Sequence, residues 1–183
     1  MATSTLNIHQ ELIDKCRDND RVAQYRIYQL YNKAMFNTAL RILGSREEAE
    51  DILQDAFVSA FRNLDKYRED APFGAWLKRI VVNKSISRTK QRKETQLLTE
   101  SEGEFYFEWN EDDGPDLNLE LVRQAIAELP TGFRTVLTMY LLEGFDHKEI
   151  ATVLEITEST SKSQYNRAKK KLRDILGKVL NYG

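Results

Sequence analysis

Between Ser159 and Lys171 nearly every polar side chain is one that can hydrogen-bond a base edge or a phosphate: Ser159, Thr160, Lys162, Ser163, Gln164, Asn166 and Arg167, then Lys169, Lys170 and Lys171. Gln and Asn can pair bidentately with adenine and Arg or Lys with guanine, while Ser and Thr are more permissive. The chemistry on offer is recognition of duplex DNA, with bases read by the first turns and phosphates held by the later ones. The plainer alternative is a helical hairpin with a solvated basic face. It is disfavoured because an apolar seam, helix caps and a turn all coincide with this polar front.

Two further sets of residues invite the same question. Glu47, Glu50, Asp51, Gln54 and Asp55 fall on the polar side of one helical repeat, which is either a solvated surface or a docking face for a basic partner helix. Trp76, Lys78, Arg79, Asn83, Lys84 and Arg88 crowd another segment, where an amide lies among cations suited to phosphates and an unstacked base. None of these sets reads as catalytic. Glu50, Asp51 and Asp55 can be drawn as metal ligands but lack a partner cluster, and His9 and His147 have no companions at ligand spacing. Neither an enzyme activity, a metal nor a cofactor is expected. Cys16 is the sole cysteine, so no intramolecular disulfide forms and it reads as a small apolar side chain.

The elements that must position these side chains are all helical. Ile8, Leu12, Ile13 and Cys16 mark a short amphipathic helix, followed by a longer one from about Arg21 to Leu43 that Gly44 ends. Ala23, Ile27, Leu30, Tyr31, Ala34, Ala39 and Ile42 are its residues available for burial. Ser45 with Glu48 forms a capping box, and Ala49, Ile52, Leu53, Ala56, Phe57, Ala60, Phe61 and Leu64 then recur at helical spacing. Pro72 opens a further helix with Phe73, Trp76, Leu77, Ile80 and Val81 inward. Later, Leu117 to Leu129 and Phe133 to Leu141 give two helices, stopped at Pro130 and Gly144. Asp146 and Glu149 make another capping box ahead of Ile150, Val153 and Leu154. The turn Glu155-Ile156-Thr157 leads into the polar helix, whose inward residues are Tyr165, Ala168, Leu172, Leu176 and Val179. Thr157 or Ser159 caps it.

At 183 residues the chain suits one domain or two small ones. Its net charge of −2 argues against a nucleic-acid binder until the segregation of charge is seen. From Lys78 to Lys93 every ionised residue is positive, and from Glu94 to Glu120 every one is negative. Periodicity breaks down from about Thr95 to Asp116, where acids, Gly103, Gly114 and Pro115 accumulate. The expected fold is therefore all-α: a helical domain over residues 1–94, an acidic flexible linker over 95–116, and a four-helix helix-turn-helix domain over 117–183. The linker carries the aromatic run Phe105-Tyr106-Phe107-Glu108-Trp109, and its acids are expected to weaken DNA binding by the isolated protein. No signal segment and no bilayer-spanning run is evident, so a cytoplasmic location is expected.

Three motifs together resemble the extracytoplasmic-function (ECF) group of bacterial sigma factors. They are Glu48-Ala49-Glu50-Asp51-Ile52-Leu53-Gln54-Asp55-Ala56-Phe57, then Phe73-Gly74-Ala75-Trp76-Leu77 through Asn83, then Leu129-Pro130 with the helix-turn-helix ending Asn166-Arg167-Ala168-Lys169. The resemblance implies a sigma factor that directs core RNA polymerase to specific promoters and assists their opening. It assigns Glu50, Asp51, Gln54 and Asp55 to the polymerase clamp helices. Trp76, Lys78, Arg79, Asn83, Lys84 and Arg88 go to the −10 element. Ser159, Thr160, Lys162, Ser163, Gln164, Arg167, Lys170 and Lys171 go to the −35 element. Implied partners are core RNA polymerase, through the clamp helices and flap of its large subunits, promoter DNA, and an anti-sigma factor, with no membrane insertion. Ser161 stands where the group commonly has an apolar residue, Gln164 where it is often basic and Tyr165 where it is usually aliphatic. The competing class is a dimeric helix-turn-helix operator-binding regulator, which would need an effector or phosphorylation domain in place of the acidic docking helix.

Overall fold

The computed structural model describes residues 8–98 and 117–181, with side chains for 8–92 and 120–178. Among them only helices occur: α1 (Gln10–Arg17), α2 (Arg21–Leu43), α3 (Arg46–Arg62), a short 3₁₀ turn (Leu64–Lys66), α4 (Phe73–Leu98), α5 (Leu117–Ala127), α6 (Thr131–Leu141), α7 (His147–Leu154) and α8 (Glu158–Asn181). The chain divides into two compact units, residues 1–100 and 101–183. The aromatic run Phe105–Trp109 and most of the expected acidic linker lie outside the described residues. α4 continues to Leu98, past Glu94 where the first domain was expected to end.

The first unit packs α2, α3 and α4 around one core, with α1 and the 3₁₀ turn closing an end. Asp20 caps α2 through Val22 and Ala23, and Gly44 ends it at φ 68°, the left-handed conformation glycine adopts without steric cost. Its buried face differs from the expected one. Leu30 is 50% exposed and Ala34 is exposed, whereas Met35, Phe36, Leu40 and Leu43 are buried. Apolar residues surround most of α2, so its inward side is selected by the two helices packed on it. Ser45 caps α3 by accepting from the Glu48 backbone N–H at 3.3 Å. The expected reciprocal bond is replaced, since the Glu48 carboxylate takes Arg92 of α4 at 3.2 Å. Leu64 is buried as expected but in the 3₁₀ turn, because α3 stops at Arg62. Burial pushes the Cys16 thiol up to about 11, with Asp20 adding to the effect, so it stays protonated.

Aromatic packing fixes the start of α4. Phe73 is surrounded by the rings of Tyr31, Tyr67 and Trp76, at 5.4, 5.5 and 5.6 Å. Gly74 lets the helix start pack closely beside them: a Cβ there would stand 3.0 Å from Cε1 of Tyr31, so that ring would have to give by a few tenths of an ångström.

In the second unit, Leu129, Leu137 and Ala168 form a core flanked by Ile126, Phe133, Tyr165, Leu172 and Ile175. Arg134 is buried with them and donates from Nη1 to the Ala127 carbonyl at 2.8 Å, tying α6 to the end of α5. The capping box of α7 forms in both directions: Asp146 accepts from the Glu149 N–H at 2.7 Å, and Glu149 accepts from the Asp146 N–H at 3.0 Å. Asp146→Ala should therefore lower unfolding stability by about 1 kcal/mol in urea titration. Glu155 then turns the chain at φ 57°, a left-handed conformation that costs a residue with a Cβ about 1 kcal/mol. Of the two candidate caps for α8, Thr157 is the one used, its Oγ1 accepting from the Thr160 N–H at 3.0 Å.

Candidate nucleic-acid interface

α8 presents two opposite faces. Ser161 and Ala168 are buried, with Tyr165 and Leu172 half-buried along the same stripe. Ser159, Lys162, Ser163, Asn166, Arg167, Lys169, Lys170 and Lys171 are exposed. Most of the expected base-reading and phosphate-holding residues thus stand on one outward front, while two of them are engaged. Thr160 is half-buried and its hydroxyl lies 2.8 Å from that of Thr157, so it belongs to the helix cap as much as to the surface. Gln164 is half-buried and leans towards α6, its Oε1 lying 3.8 Å from the place a Cβ on Gly132 would occupy.

Lys162 pairs with Glu158 one turn earlier at 2.6 Å. That hydrogen bond and charge hold the Glu158 carboxyl below its ordinary range. Lys169 lies over the Tyr165 ring at 4.5 Å, a cation–π contact that keeps its ammonium at the surface.

In the first unit, Glu50, Asp51, Gln54 and Asp55 are all exposed on one side of α3, because Ala49, Ile52, Leu53 and Ala56 bury the other. α4 brings its cations to the same side. Asp55 and Ile52 share an open groove of about 320 Å³ with Asn83, Lys84, Ser87, Arg88 and Gln91. Arg88 reaches Asp51 at 3.9 Å, and Arg92 reaches Glu48 at 3.2 Å. The basic run of α4 has no acid of its own in sequence, yet α3 supplies acids across the groove. The acidic and basic sets are separate in sequence; the packing of α3 on α4 brings Asp55 to the same open groove as Asn83, Lys84 and Arg88.

The remaining −10 candidates stand apart. Trp76 packs on Tyr67 at 5.2 Å and on Phe73, as part of the core edge. Lys78 is five residues before Asn83, about 140° away around the helix, and Arg79 is exposed. Two residues of consequence are not found from the sequence, where His147 is weighed only as a metal ligand and set aside, and Ser161 is noted only as a departure from the family pattern. Nδ1 of His147 and Oγ of Ser161 share a hydrogen bond of 2.9 Å inside the helix-turn-helix. A signal exists for Ser161, which falls four and seven residues before Tyr165 and Ala168 on the inward stripe.

Comparison with known proteins bears on the whole chain. The Sigma-70 region 2 family matches residues 27–95, and the Sigma-70, region 4 family matches residues 119–172. The ECF RNA polymerase sigma factor SigW of Bacillus subtilis (strain 168) is 31% identical over 176 residues, covering 90% of this chain and 94% of that protein. The structure of CnrH in complex with the cytosolic domain of CnrY superposes with a TM-score of 0.55 at 26% identity, over 91% of this chain and 95% of that one. The sigma factor RpoE from Bartonella quintana, co-crystallised with the anti-sigma factor NepR, shares the fold at a TM-score of 0.65 and 21% identity, over 84% and 96% of the two chains. Two family matches in the order of the two helical units, and a relative aligned over nearly its full length, establish that this chain belongs to the ECF RNA polymerase sigma factors.

Proposed function

We propose a division of labour among the three surfaces. The α3 face of Glu50, Asp51, Gln54 and Asp55 docks on the clamp helices of core RNA polymerase. Across the groove, Asn83, Lys84 and Arg88, with Arg79 on the exposed side of α4, engage the −10 element, while Trp76 supports the start of that helix from the core edge and Lys78 serves phosphates from another side. The front of α8 reads the −35 duplex through Ser159, Ser163 and Arg167, and Lys162, Lys170 and Lys171 take phosphates. Thr160 and Gln164 contribute to that reading from the margin. The protein acts by binding rather than catalysis, in the cytoplasm, and an anti-sigma factor joins core polymerase and promoter DNA among its partners. Residues 1–94 and 117–183 serve as the two working domains, and the acidic stretch 95–116, whose first residues continue α4 to Leu98, tethers them.

The observation that carries this reading is the two-faced character of α8: a capped, buried seam behind an outward row that ends in cations. It supports a recognition helix entering the major groove. Membership of the sigma family displaces the dimeric operator-regulator reading. The test is selection of duplexes from a library randomised at the −35 position, using core polymerase with the full-length protein. Arg167→Ala should relax preference at one base pair, by about 5- to 150-fold in affinity ratio. Lys170→Ala with Lys171→Ala should instead weaken binding to all sequences alike and reduce the salt slope by about one for each phosphate no longer neutralised. Loss of base preference in the lysine variant but not in Arg167→Ala would refute this assignment.

A further inference from the structure

Ser161 is fully buried on the stripe where α8 packs against its neighbours, and a hydroxyl in such a seam is costly unless paired. Its partner is Nδ1 of His147, 2.9 Å away at the first position of α7. The His147 ring is itself held, stacked on Tyr140 at 4.4 Å and meeting Tyr165 edge-on at 5.5 Å, while Tyr140 and Tyr165 lie 4.6 Å apart. Three helices therefore converge on one polar contact: α6 through Tyr140, α7 through His147, and α8 through Ser161 and Tyr165. The contact lies in the first turn of α8, between Thr160, whose N–H the Thr157 cap accepts, and the exposed Lys162 and Ser163.

Apolar packing along a helix tolerates small rotations and slides, because dispersion contacts are non-directional. A hydrogen bond is not so tolerant, since it weakens steeply with angle and distance. A shift of α8 by one residue would turn its face by about 100° and break this bond. We infer that the His147–Ser161 hydrogen bond is a positioning device for promoter reading: it fixes the rotation of the first turns of α8 and hence how Ser159, Ser163 and Arg167 meet base edges. The inference rests on the assignment of α8 to the −35 duplex. His147 and Ser161 are positioning residues: Ser161 is fully buried, and the His147 ring is held by Ser161, Tyr140 and Tyr165.

The experiment uses full-length protein with core RNA polymerase and compares affinity for the −35 duplex selected by the wild type with affinity for a scrambled −35 duplex. Ser161→Ala removes the hydroxyl and leaves a seam that alanine fits. His147→Phe keeps the ring stacking and loses Nδ1. His147→Asn loses the ring and sets an amide near the place of Nδ1. The ratio of the two affinities should fall about five- to tenfold in Ser161→Ala and in His147→Phe, the loss of one net hydrogen bond. It should stay within about twofold of wild type in His147→Asn, with affinity for the scrambled duplex unchanged in all three. Wild-type discrimination in Ser161→Ala overturns the inference, as does retention in His147→Phe with loss in His147→Asn, which would assign the effect to ring packing. Should His147→Phe fail to fold, Ser161→Ala and His147→Asn decide alone. A wild-type holoenzyme with no −35 preference sinks the −35 assignment and this inference together; a clear wild-type preference untouched by the variants sinks only this inference.

Discussion

The Asp51→Arg, Asp55→Arg double variant should bind purified core RNA polymerase at least about 100-fold more weakly than the wild type, two close charge pairs at an interface each being worth a factor of ten or more. Both carboxylates are exposed on α3, and the residues beneath them, Ile52 and Ala56, are untouched by the change. The cost to folding is small. Asp51 meets Arg88 at 3.9 Å with side chains 61% and 31% exposed, and a surface pair of that kind contributes about 0.2–1 kcal/mol. A melting temperature near wild type together with failed capture in a pull-down would locate docking on this face, whereas undiminished capture would move it elsewhere. A second readout separates docking from misfolding. Reversing the acids removes the Asp55 carboxylate that shares the groove with Asn83, Lys84 and Arg88 and the Asp51 carboxylate that meets Arg88, so DNA binding by the free protein at low salt should rise as polymerase binding falls.

Phe73→Ala should cost about 3–5 kcal/mol of stability in the first unit, out of the roughly 5–15 kcal/mol that holds a typical domain together. Phe73 is 1% exposed and is met by three rings, Tyr31, Tyr67 and Trp76. Tyr67 is fixed in turn, donating its hydroxyl to the Ala71 carbonyl at 2.6 Å, so the cluster has little freedom to collapse into the space. Urea unfolding followed by the fluorescence of Trp76, in a Trp109→Phe background, measures the loss. A cost under about 1 kcal/mol would mean that the cavity refills and that this cluster does not anchor the start of α4.

Much of the fold was legible because its signals are local. A cap, a terminator and a repeat of three and four act within a turn or two, which is why Arg21–Leu43 with its Gly44 stop, the Ser45 cap and the Asp146–Glu149 box stand where the sequence puts them. The expected inward faces hold where one side of a helix is plainly polar, as in α3 and in α8 as far as Leu176, Val179 lying outside the residues whose side chains are described. In α2 they were not: Leu30 and Ala34 are exposed while Met35 and Phe36 are buried. A helix apolar on most sides has no inward face until its neighbours are placed.

The same division holds for the candidate site. The sequence alone determined that the chain is helical, that a capped helix-turn-helix ends in a cationic front, and that acidic and basic segments alternate, since each of these is a property of residues within a few positions of one another. Tertiary structure alone decided that Asp51 faces Arg88 and Glu48 faces Arg92, partners on different helices and far apart in sequence. It alone decided that Ser161, on an inward stripe, is satisfied by a histidine from the preceding helix. Those pairings depend on which helices lie side by side and at what rotation, and that is settled by burial over the whole core rather than by the pattern along any one helix.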